Sequence, residues 1–318
     1  MITFYRSARR RENRVLTPGV ISLLAGKPNA TTFPFTSFNF TARDPNSPPD
    51  APKDISVNIE EDALAAGLQY GDTAGIPNLL RWLEGLQEKM HGRKVGEGWK
   101  ICMGSGSQDL IYKVVQAMVN DGDPIFVESP VYAGVIPMFK TLHCEQIEIE
   151  TDANGICADS LRKTLESWPA GKPKPKVLYT VPYGCNPTGM TATPERRKEV
   201  LKLAREYNFI ILEDDPYYYV YYGPANRPPS YFTLEATEPT ENGEPEVGRV
   251  VRFDSLSKIL SAGMRIGWAS GPEPLMTAIE RHLFSLASHL VASASILVSI
   301  KTLHGISSGN IADVLDAL

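Results

Sequence analysis

The sequence predicts an α/β fold built on a largely parallel β-sheet with helices on both faces. Short segments that are apolar throughout, typical of strands buried on both faces, alternate with amphipathic helical segments. The 318 residues are 42% hydrophobic and 22% charged, a composition that excludes a disordered or fibrous protein. The net charge of −5 provides no basic surplus for a phosphate backbone, so no nucleic-acid partner is expected.

The alternation can be followed along the chain. Apolar residues at helical spacing predict helices over residues 76–90 and 110–119. A further helix is predicted after Thr193, which can cap a helix that has Pro194 at its first position. Residues 223–248 are polar and acidic and are expected to form a surface excursion. Strands are predicted at the short apolar segments 125–127, 177–181, 209–212 and 249–253.

Cysteine and histidine residues form no pattern typical of a metal site. The four cysteines lie far apart without a C-x-x-C pair, so reduced thiols of a cytosolic protein are expected. The five histidines form no H-x-x-x-H pair, and no metal ligand is predicted.

Two segments bear on where the protein is located. Residues 1–14 contain five arginines and one acid, a composition that fits a mitochondrial presequence and also a solvated basic arm. Residues 283–300 carry no charge and approach the length of a membrane span, but spaced serines and His289 favour a helix packed inside protein or at a subunit interface. We expect a cytoplasmic protein without a membrane partner, and a mitochondrial location is the alternative.

Two predicted turns, at residues 104–108 and at Asn186, are candidate ligand sites, and the second follows the predicted strand 177–181. Parallel sheets bind ligands beyond the carboxyl ends of their strands. Residues 104–108, Gly-Ser-Gly-Ser-Gln, open a predicted helix, and the free N–H groups of a helix start can bind phosphate. A glycine-serine turn can also cap a helix without any ligand. Asn186 precedes a proline and is therefore held extended, which can orient its side chain towards a ligand, although an ordinary Asn-Pro turn has the same sequence.

Charged groups follow the other two strands. Asp214, in a Glu-Asp-Asp-Pro-Tyr motif, can face a buried cationic ring nitrogen or can belong to the solvated end of a strand. Lys258 has small and apolar neighbours, and desolvation there would lower the pKa of its amine. Ser255, Ser257 and Arg265 supply hydroxyls and a fixed charge that suit a phosphate monoester.

Taken together, four motifs resemble those of a known enzyme family. They are residues 104–108, Asn-Pro-Thr-Gly at 186–189, Glu-Asp-Asp-Pro-Tyr-Tyr at 213–218, and Ser-Leu-Ser-Lys with Arg-Ile-Gly within 255–267. Their order and spacing resemble the fold type I, pyridoxal 5'-phosphate (PLP)-dependent aminotransferases of class I/II, in particular the branch of kynurenine/2-aminoadipate and fungal aromatic amino-acid aminotransferases. The resemblance implies a large domain with a mostly parallel seven-stranded sheet between helices.

The resemblance implies catalytic roles for three residues. Lys258 is similar to the lysine that forms a Schiff base with the cofactor and moves the substrate proton. Asp214 is similar to the carboxylate that keeps the pyridine nitrogen protonated. Tyr132, in Ser-Pro-Val-Tyr-Ala-Gly, is similar to the aromatic residue stacked on the ring, although without the motif a core tyrosine would be preferred.

The remaining cofactor and substrate contacts are also implied by the resemblance. Asn186 and Tyr217 match residues that hydrogen-bond the 3′ oxygen of the cofactor, and Asn186 and Gly26 match substrate-binding positions. Tyr70 resembles a tyrosine that reaches the phosphate of the neighbouring subunit, which implies a homodimer. The implied phosphate cup consists of Ser107, Gln108, Ser255, Ser257 and Arg265.

The resemblance divides the chain into three regions. Residues 1–60 form an N-terminal arm and irregular segment, residues 61–275 the PLP-binding large domain, and residues 276–318 the interdomain helix and the start of a small C-terminal domain. In the family that domain carries the arginine that binds the substrate α-carboxylate, and no candidate for it is visible here. We expect an incomplete or truncated gene product, with a genuine short form as the alternative.

The resemblance implies PLP-dependent transamination between small-molecule amino acid and 2-oxo acid substrates. We expect an aromatic amino acid, kynurenine or 2-aminoadipate as the amino donor and 2-oxoglutarate as the acceptor. Two alternatives remain open: a truncated, PLP-binding but catalytically impaired fragment, and a PLP-dependent carbon–sulfur lyase or decarboxylase. The cofactor-binding residues alone do not separate these reactions.

Overall fold

The structure, a computed structural model, describes residues 26–44, 46–222 and 226–286. These residues divide into two compact units, one ending at Asp72 and the other beginning at Thr73. The three regions predicted from the sequence, with boundaries at residues 60 and 275, stay a prediction.

The first unit contains a two-stranded antiparallel sheet and one helix. Strand β1 (Phe38–Arg43) pairs along its whole length with β2 (Asp54–Ile59), and helix α1 (Glu61–Leu68) follows. Phe38 and Phe40 alternate with exposed residues along β1 and pack around buried Ile59. The prediction of an irregular segment up to residue 60 is therefore wrong here, because this period-two pattern buries one face of a hairpin.

The second unit is built around one mixed sheet. Among its described residues the strand order is β3-β10-β9-β8-β7-β4-β5-β6. The five strands from β9 to β5 pair in parallel, whereas β3, β10 and β6 are antiparallel to their neighbours. The strands are β3 (Trp99–Gly104), β4 (Pro124–Ser129), β5 (Glu145–Asp152), β6 (Gly155–Ile156), β7 (Val177–Thr180), β8 (Ile210–Asp214), β9 (Val250–Ser255) and β10 (Gly267–Pro272).

The α/β fold with a largely parallel sheet is confirmed, and each of the four predicted strands is present. They correspond to β4, β7, β8 and β9, all buried almost throughout. The sheet of the described residues has eight strands where the resemblance implied seven, since the two-residue strand β6 adds to its edge.

The helices of the second unit follow the predicted pattern. Thr193 caps α6 with its side-chain oxygen, which accepts a hydrogen bond from Arg196 N at 3.3 Å, as the sequence predicts. The apolar stripe of α3 is fully buried at Leu110 and Val114. The helices are α2 (Pro77–His91), α3 (Ser107–Met118), α4 (Ile136–Thr141), α5 (Ala158–Glu166), α6 (Pro194–Tyr207), α7 (Tyr231–Thr237) and α8 (Glu273–Leu286).

The predicted surface excursion at residues 223–248 is wrong for its central part. Helix α7 lies there, and Tyr231, Phe232 and Leu234 are buried. Glu235, also buried, accepts a hydrogen bond from Arg93 Nη1 at 2.9 Å. The acidic residues of this segment suggested solvent exposure, but a buried arginine pairs with one of them and so permits the helix to pack.

Within the described residues, no helix is long and apolar enough to cross a membrane. Most of the uncharged segment 283–300 and the whole basic segment 1–14 lie outside the described residues.

Three consecutive acids at the end of β8 are all buried, and they point to two different faces of the sheet. Glu213 and Asp215 lie near Arg252 of β9, whose Nη1 is 3.4 Å from Glu213 Oε2 and 2.8 Å from Asp215 Oδ2. Arg252 also forms a two-pronged ion pair with Asp254. Asp214, between the two, faces the other side, since successive side chains of a strand alternate.

We predict that Arg252→Met destabilises the protein by about 3–5 kcal/mol, because it leaves several buried carboxylates without their cation. Urea unfolding followed by circular dichroism measures this loss. Arg162→Met is the matched control, since Arg162 is exposed and pairs with Glu206 at the surface. Equal losses in the two variants would contradict the role assigned to the buried network.

Candidate active site

A cavity of about 230 Å³ opens at the carboxyl ends of the parallel strands, next to the start of α3. Every predicted cofactor residue of the second unit lines it, from five separate chain segments. They are Ser107, Gln108, Tyr132, Asn186, Asp214, Tyr217, Ser255, Ser257, Lys258 and Arg265. Sequence reasoning missed the apolar part of the lining, formed by Ile111, Val135, Val181, Pro216 and Ala262.

Gly26 and Tyr70 belong to the first unit, where both are exposed. Their implied roles in substrate binding and in a neighbouring subunit's phosphate site therefore stay predictions.

One end of the cavity is suited to bind an anion. Gly106 precedes α3, whose first turn, beginning at Ser107, directs unpaired backbone N–H groups outward. Arg265 Nη2 donates a hydrogen bond to Ser105 O at 3.0 Å, which holds the guanidinium beside this helix start. Ser257 N donates to Ser255 Oγ at 3.1 Å, so the second serine loop is also ordered. The positive helix end, the guanidinium and the hydroxyls together suit a phosphate monoester.

A close backbone approach sets the position of this anion-binding end. A Cβ atom added at Gly267 would lie 2.5 Å from Ser107 N and 2.6 Å from Gly106 C. Real side chains do not occupy such short distances, so β10 and the start of α3 can approach in this way only with glycine at position 267. The guanidinium of Arg265, two residues before Gly267, is held by hydrogen bonds that it donates to Ala262 O at 3.2 Å and to Ser105 O.

Another part of the cavity lining is a buried carboxylate, that of Asp214. Asp214 Oδ2 accepts a hydrogen bond from the Tyr179 hydroxyl at 2.6 Å. Its other oxygen, Oδ1, is buried and has no hydrogen-bond partner among the described residues. Burial raises the pKa of Asp214 to about 7, although the Tyr179 hydrogen bond opposes this rise. The alternative of a solvated strand end is therefore wrong for Asp214.

Lys258 lies in the loop that follows β9, and its Nζ is 5.8 Å from the centre of the Tyr217 ring. The side chain is exposed. The sequence-based expectation that apolar neighbours desolvate this amine is therefore wrong, because those neighbours lie beside it in sequence without covering it.

A hydrogen bond ties Gln108 to the loop that carries Tyr132, and both residues line the cavity. Gln108 Nε2 donates a hydrogen bond to Gly134 O at 2.9 Å, which links α3 to the loop that carries Tyr132. A Cβ atom at Gly134 would lie 2.5 Å from the Tyr132 ring, so the ring packs directly on the glycine backbone. The half-buried tyrosine is thus held at the cavity wall by contacts on its loop.

Glu128, which no sequence signal indicated, holds the loop before Asn186. Its carboxylate accepts hydrogen bonds from Val181 N at 2.7 Å and from the Thr180 hydroxyl at 2.8 Å. Burial raises the pKa of Glu128 to about 7, and the bonds it accepts oppose this. The buried carboxylate therefore connects the ends of β4 and β7 beneath the cavity.

Comparison with known proteins agrees with this geometry. The aminotransferase class I and II family matches residues 46–303, well over half of the chain. The chain belongs to this family. It is 45% identical over 265 residues to aminotransferase tdiD of Emericella nidulans, covering 83% of this chain and 58% of that protein. It is 40% identical over 295 residues to the mitochondrial kynurenine/alpha-aminoadipate aminotransferase of Bos taurus, covering 88% and 64%.

The chain thus spans about three fifths of the length of these relatives. Among solved structures, aminotransferase Aro8 from Candida albicans superposes with a TM-score of 0.82 at 25% identity, covering 98% of this chain and 70% of that one. This likeness confirms the fold type that the motifs implied.

One solved neighbour, the kynurenine aminotransferase of Pyrococcus horikoshii, is in complex with PMP, and the cofactor that the family implies is pyridoxal phosphate. The residues present fit this group. The buried Asp214 Oδ1, without a partner of its own, suits a protonated ring nitrogen, and the helix start beside Arg265 suits the phosphate. The two groups belong to one cavity.

We predict that Gly267→Ala weakens cofactor binding at least tenfold, because the added methyl group separates β10 from the start of α3 and displaces the anion-binding groups. Fluorescence titration of the chain with PLP measures the dissociation constant. Gly263→Ala is the matched control, since the nearest atom to its added Cβ is 3.9 Å away. A similar loss in both variants would show that the close approach is not the cause.

We also predict that, without cofactor, the contribution of Asp214 to the free energy of unfolding falls as pH rises from about 4 to about 7. Asp214 ionises at about pH 4 in the unfolded chain, whereas burial raises its pKa to about 7 in the fold. The folded state therefore binds the extra proton in this window, and its advantage is lost as pH rises. Urea unfolding at several pH values should give a flatter dependence for Asp214→Asn. The exposed control Asp159→Asn should keep the slope of the unsubstituted chain.

Proposed function

We propose that this chain is a PLP-dependent aminotransferase that moves an amino group from an aromatic amino acid, kynurenine or 2-aminoadipate to 2-oxoglutarate. The observation that carries the proposal is the convergence of Asp214, Lys258 and Arg265 on one cavity, in a chain of the aminotransferase family. The substrate classes follow the names of relatives, which include kynurenine/alpha-aminoadipate and aromatic amino acid aminotransferases.

Pyridoxal phosphate, when bound, withdraws electrons from the substrate α-carbon and carries the amino group between the two substrates. The residues at its two ends have separate tasks. The start of α3, Ser255, Ser257 and Arg265 would hold the phosphate. Asp214 Oδ1 would accept a hydrogen bond from the protonated ring nitrogen and so keep the positive charge on that nitrogen. Because Asp214 is removed from water, this interaction is stronger than it would be at the surface.

Two further groups act near the reacting atoms. Lys258 Nζ would bind the cofactor covalently as its Schiff-base amine and would take and return the proton of the substrate α-carbon. An exposed side chain suits both tasks, because the amine must be free to move from its bond with the cofactor to the α-carbon of the substrate. Tyr132 would cover one face of the ring, while Asn186 and Tyr217 would donate hydrogen bonds to its phenolic oxygen.

We also propose a homodimer, in which Tyr70 of one subunit serves the phosphate site of the other, and a cytoplasmic location. The mitochondrial alternative is kept because the bovine relative is named as mitochondrial. Gly26 is proposed to lie near the substrate.

We predict that the purified chain, given PLP, develops a visible absorbance band that Lys258→Ala abolishes. Lys140→Ala, which removes an exposed lysine of α4 outside the cavity, should keep the band. Kynurenine, 2-aminoadipate or an aromatic amino acid should then convert the band, and added 2-oxoglutarate should yield glutamate. A band without amino transfer would favour the impaired fragment, and release of pyruvate and ammonia would favour a lyase. No band at all would overturn the proposal.

A further inference from the structure

We infer that Tyr179 is a positioning residue for Asp214: its buried hydroxyl holds one carboxylate oxygen so that the other is directed at the ring nitrogen of the cofactor. This inference rests on the proposed function and extends it to a residue that does not line the cavity. It is carried by the contacts around Asp214.

Tyr179 and Asp214 form a buried hydrogen-bonded pair. Tyr179, in β7, is wholly buried, and so is the carboxylate that its hydroxyl contacts at 2.6 Å. This is the one side-chain hydrogen bond that the described residues donate to Asp214. Because the donor holds one oxygen, it also fixes the plane of the carboxylate and so the direction of the other oxygen. A carboxylate without such a bond turns more freely, since its last torsion has a broad preference.

Negative charges near Asp214 disfavour its ionised form, and a hydrogen-bond donor opposes this effect. Besides burial, the negative charges of three nearby carboxyl groups raise the pKa of Asp214: Asp215, which directly follows β8, Glu128 at the end of β4 and Asp254 on β9. The Tyr179 hydroxyl lowers it. A phenol can do this without adding a charge, and burial raises the pKa of Tyr179 well above its usual value, so it stays a donor.

The ring of Tyr179 has a packing role that can be separated from the role of its hydroxyl. It makes an edge-to-face contact with Phe139, with the ring centres 5.6 Å apart. Tyr179→Phe keeps this contact and removes only the oxygen. Tyr219→Phe is the matched control, because Tyr219 is equally buried and its hydroxyl has no hydrogen-bond partner among the described residues.

The first experiment measures the ring nitrogen itself. The full chain is reconstituted with PLP labelled with ¹⁵N in the ring, and the chemical shift of that nitrogen is recorded as pH is raised. In Tyr179→Phe we expect the nitrogen to lose its proton at a pH about one unit higher, because deprotonation of the ring then leaves a carboxylate that has neither a cation nor its hydrogen-bond donor. Tyr219→Phe should follow the unsubstituted chain. An unchanged titration in Tyr179→Phe, or equal changes in both variants, overturns the inference.

The second experiment needs no cofactor, and so distinguishes failure of the inference from failure of the proposed function. The Asp214 carboxyl, labelled with ¹³C and assigned by its loss in Asp214→Asn, is titrated in the chain alone. Its pKa should rise by about one unit in Tyr179→Phe, since a hydrogen bond to a charged group is lost. If the chain binds no PLP but this rise is seen, the pair is real and the proposed function is wrong. No rise overturns the inference.

A variant that keeps the hydroxyl covers the case in which Tyr179→Phe does not fold. Incorporation of 3-fluorotyrosine at position 179 alone makes the phenol a stronger donor and leaves its size almost unchanged. The pKa of Asp214 should then fall. An unchanged or higher pKa overturns the inference, because a hydroxyl that acts only through packing would not respond to its acidity.

Discussion

The removal of Asp214 from water is the constraint on which the rest of this site depends. A carboxylate at the end of a strand is ordinarily solvated, and burying it disfavours its charged form. Here the loss is opposed by one phenol on one face, while the acids before and after it are held by Arg252 on the opposite face. The end of β8 is therefore fixed from both sides. The carboxylate of Asp214 is therefore already oriented in the chain without cofactor.

The second requirement is that distant parts of the chain meet at the anion-binding end. Arg265 and Ser105, which are 160 residues apart in sequence, are joined by one hydrogen bond. The start of α3 comes close to β10 because the backbone of Gly267 contacts the backbone of Gly106 and Ser107, where no side chain would fit. The carboxylate and the anion-binding part of the cavity are thus held in place by different interactions. One is a buried charge balanced by donors, and the other is steric contact between two backbones that places a helix start and a guanidinium side by side.

Much of this arrangement could be predicted from the sequence because parallel strands end at one edge of a sheet. Asn186, Asp214 and Lys258 follow three such strands, so their convergence follows from topology alone. Tyr179 and Glu128 could not be found in this way, since an apolar strand with one tyrosine or one acid gives no sign of which face that side chain takes. Apolar neighbours in sequence suggested burial of Lys258, but solvent exposure is decided by chain segments far away in sequence.

The order of strands in the sheet has a consequence for synthesis of the chain. Within the described residues, β3 pairs in the sheet only with β10, which lies between it and β9 and is the last strand to be made. Until the ribosome has released the chain through Pro272, both edges of β3 lack a neighbour and the helix after it has no partner backbone. Such an open edge is a template for unwanted pairing. Nascent chains that stall before this point are therefore expected to be the ones that chaperones must hold.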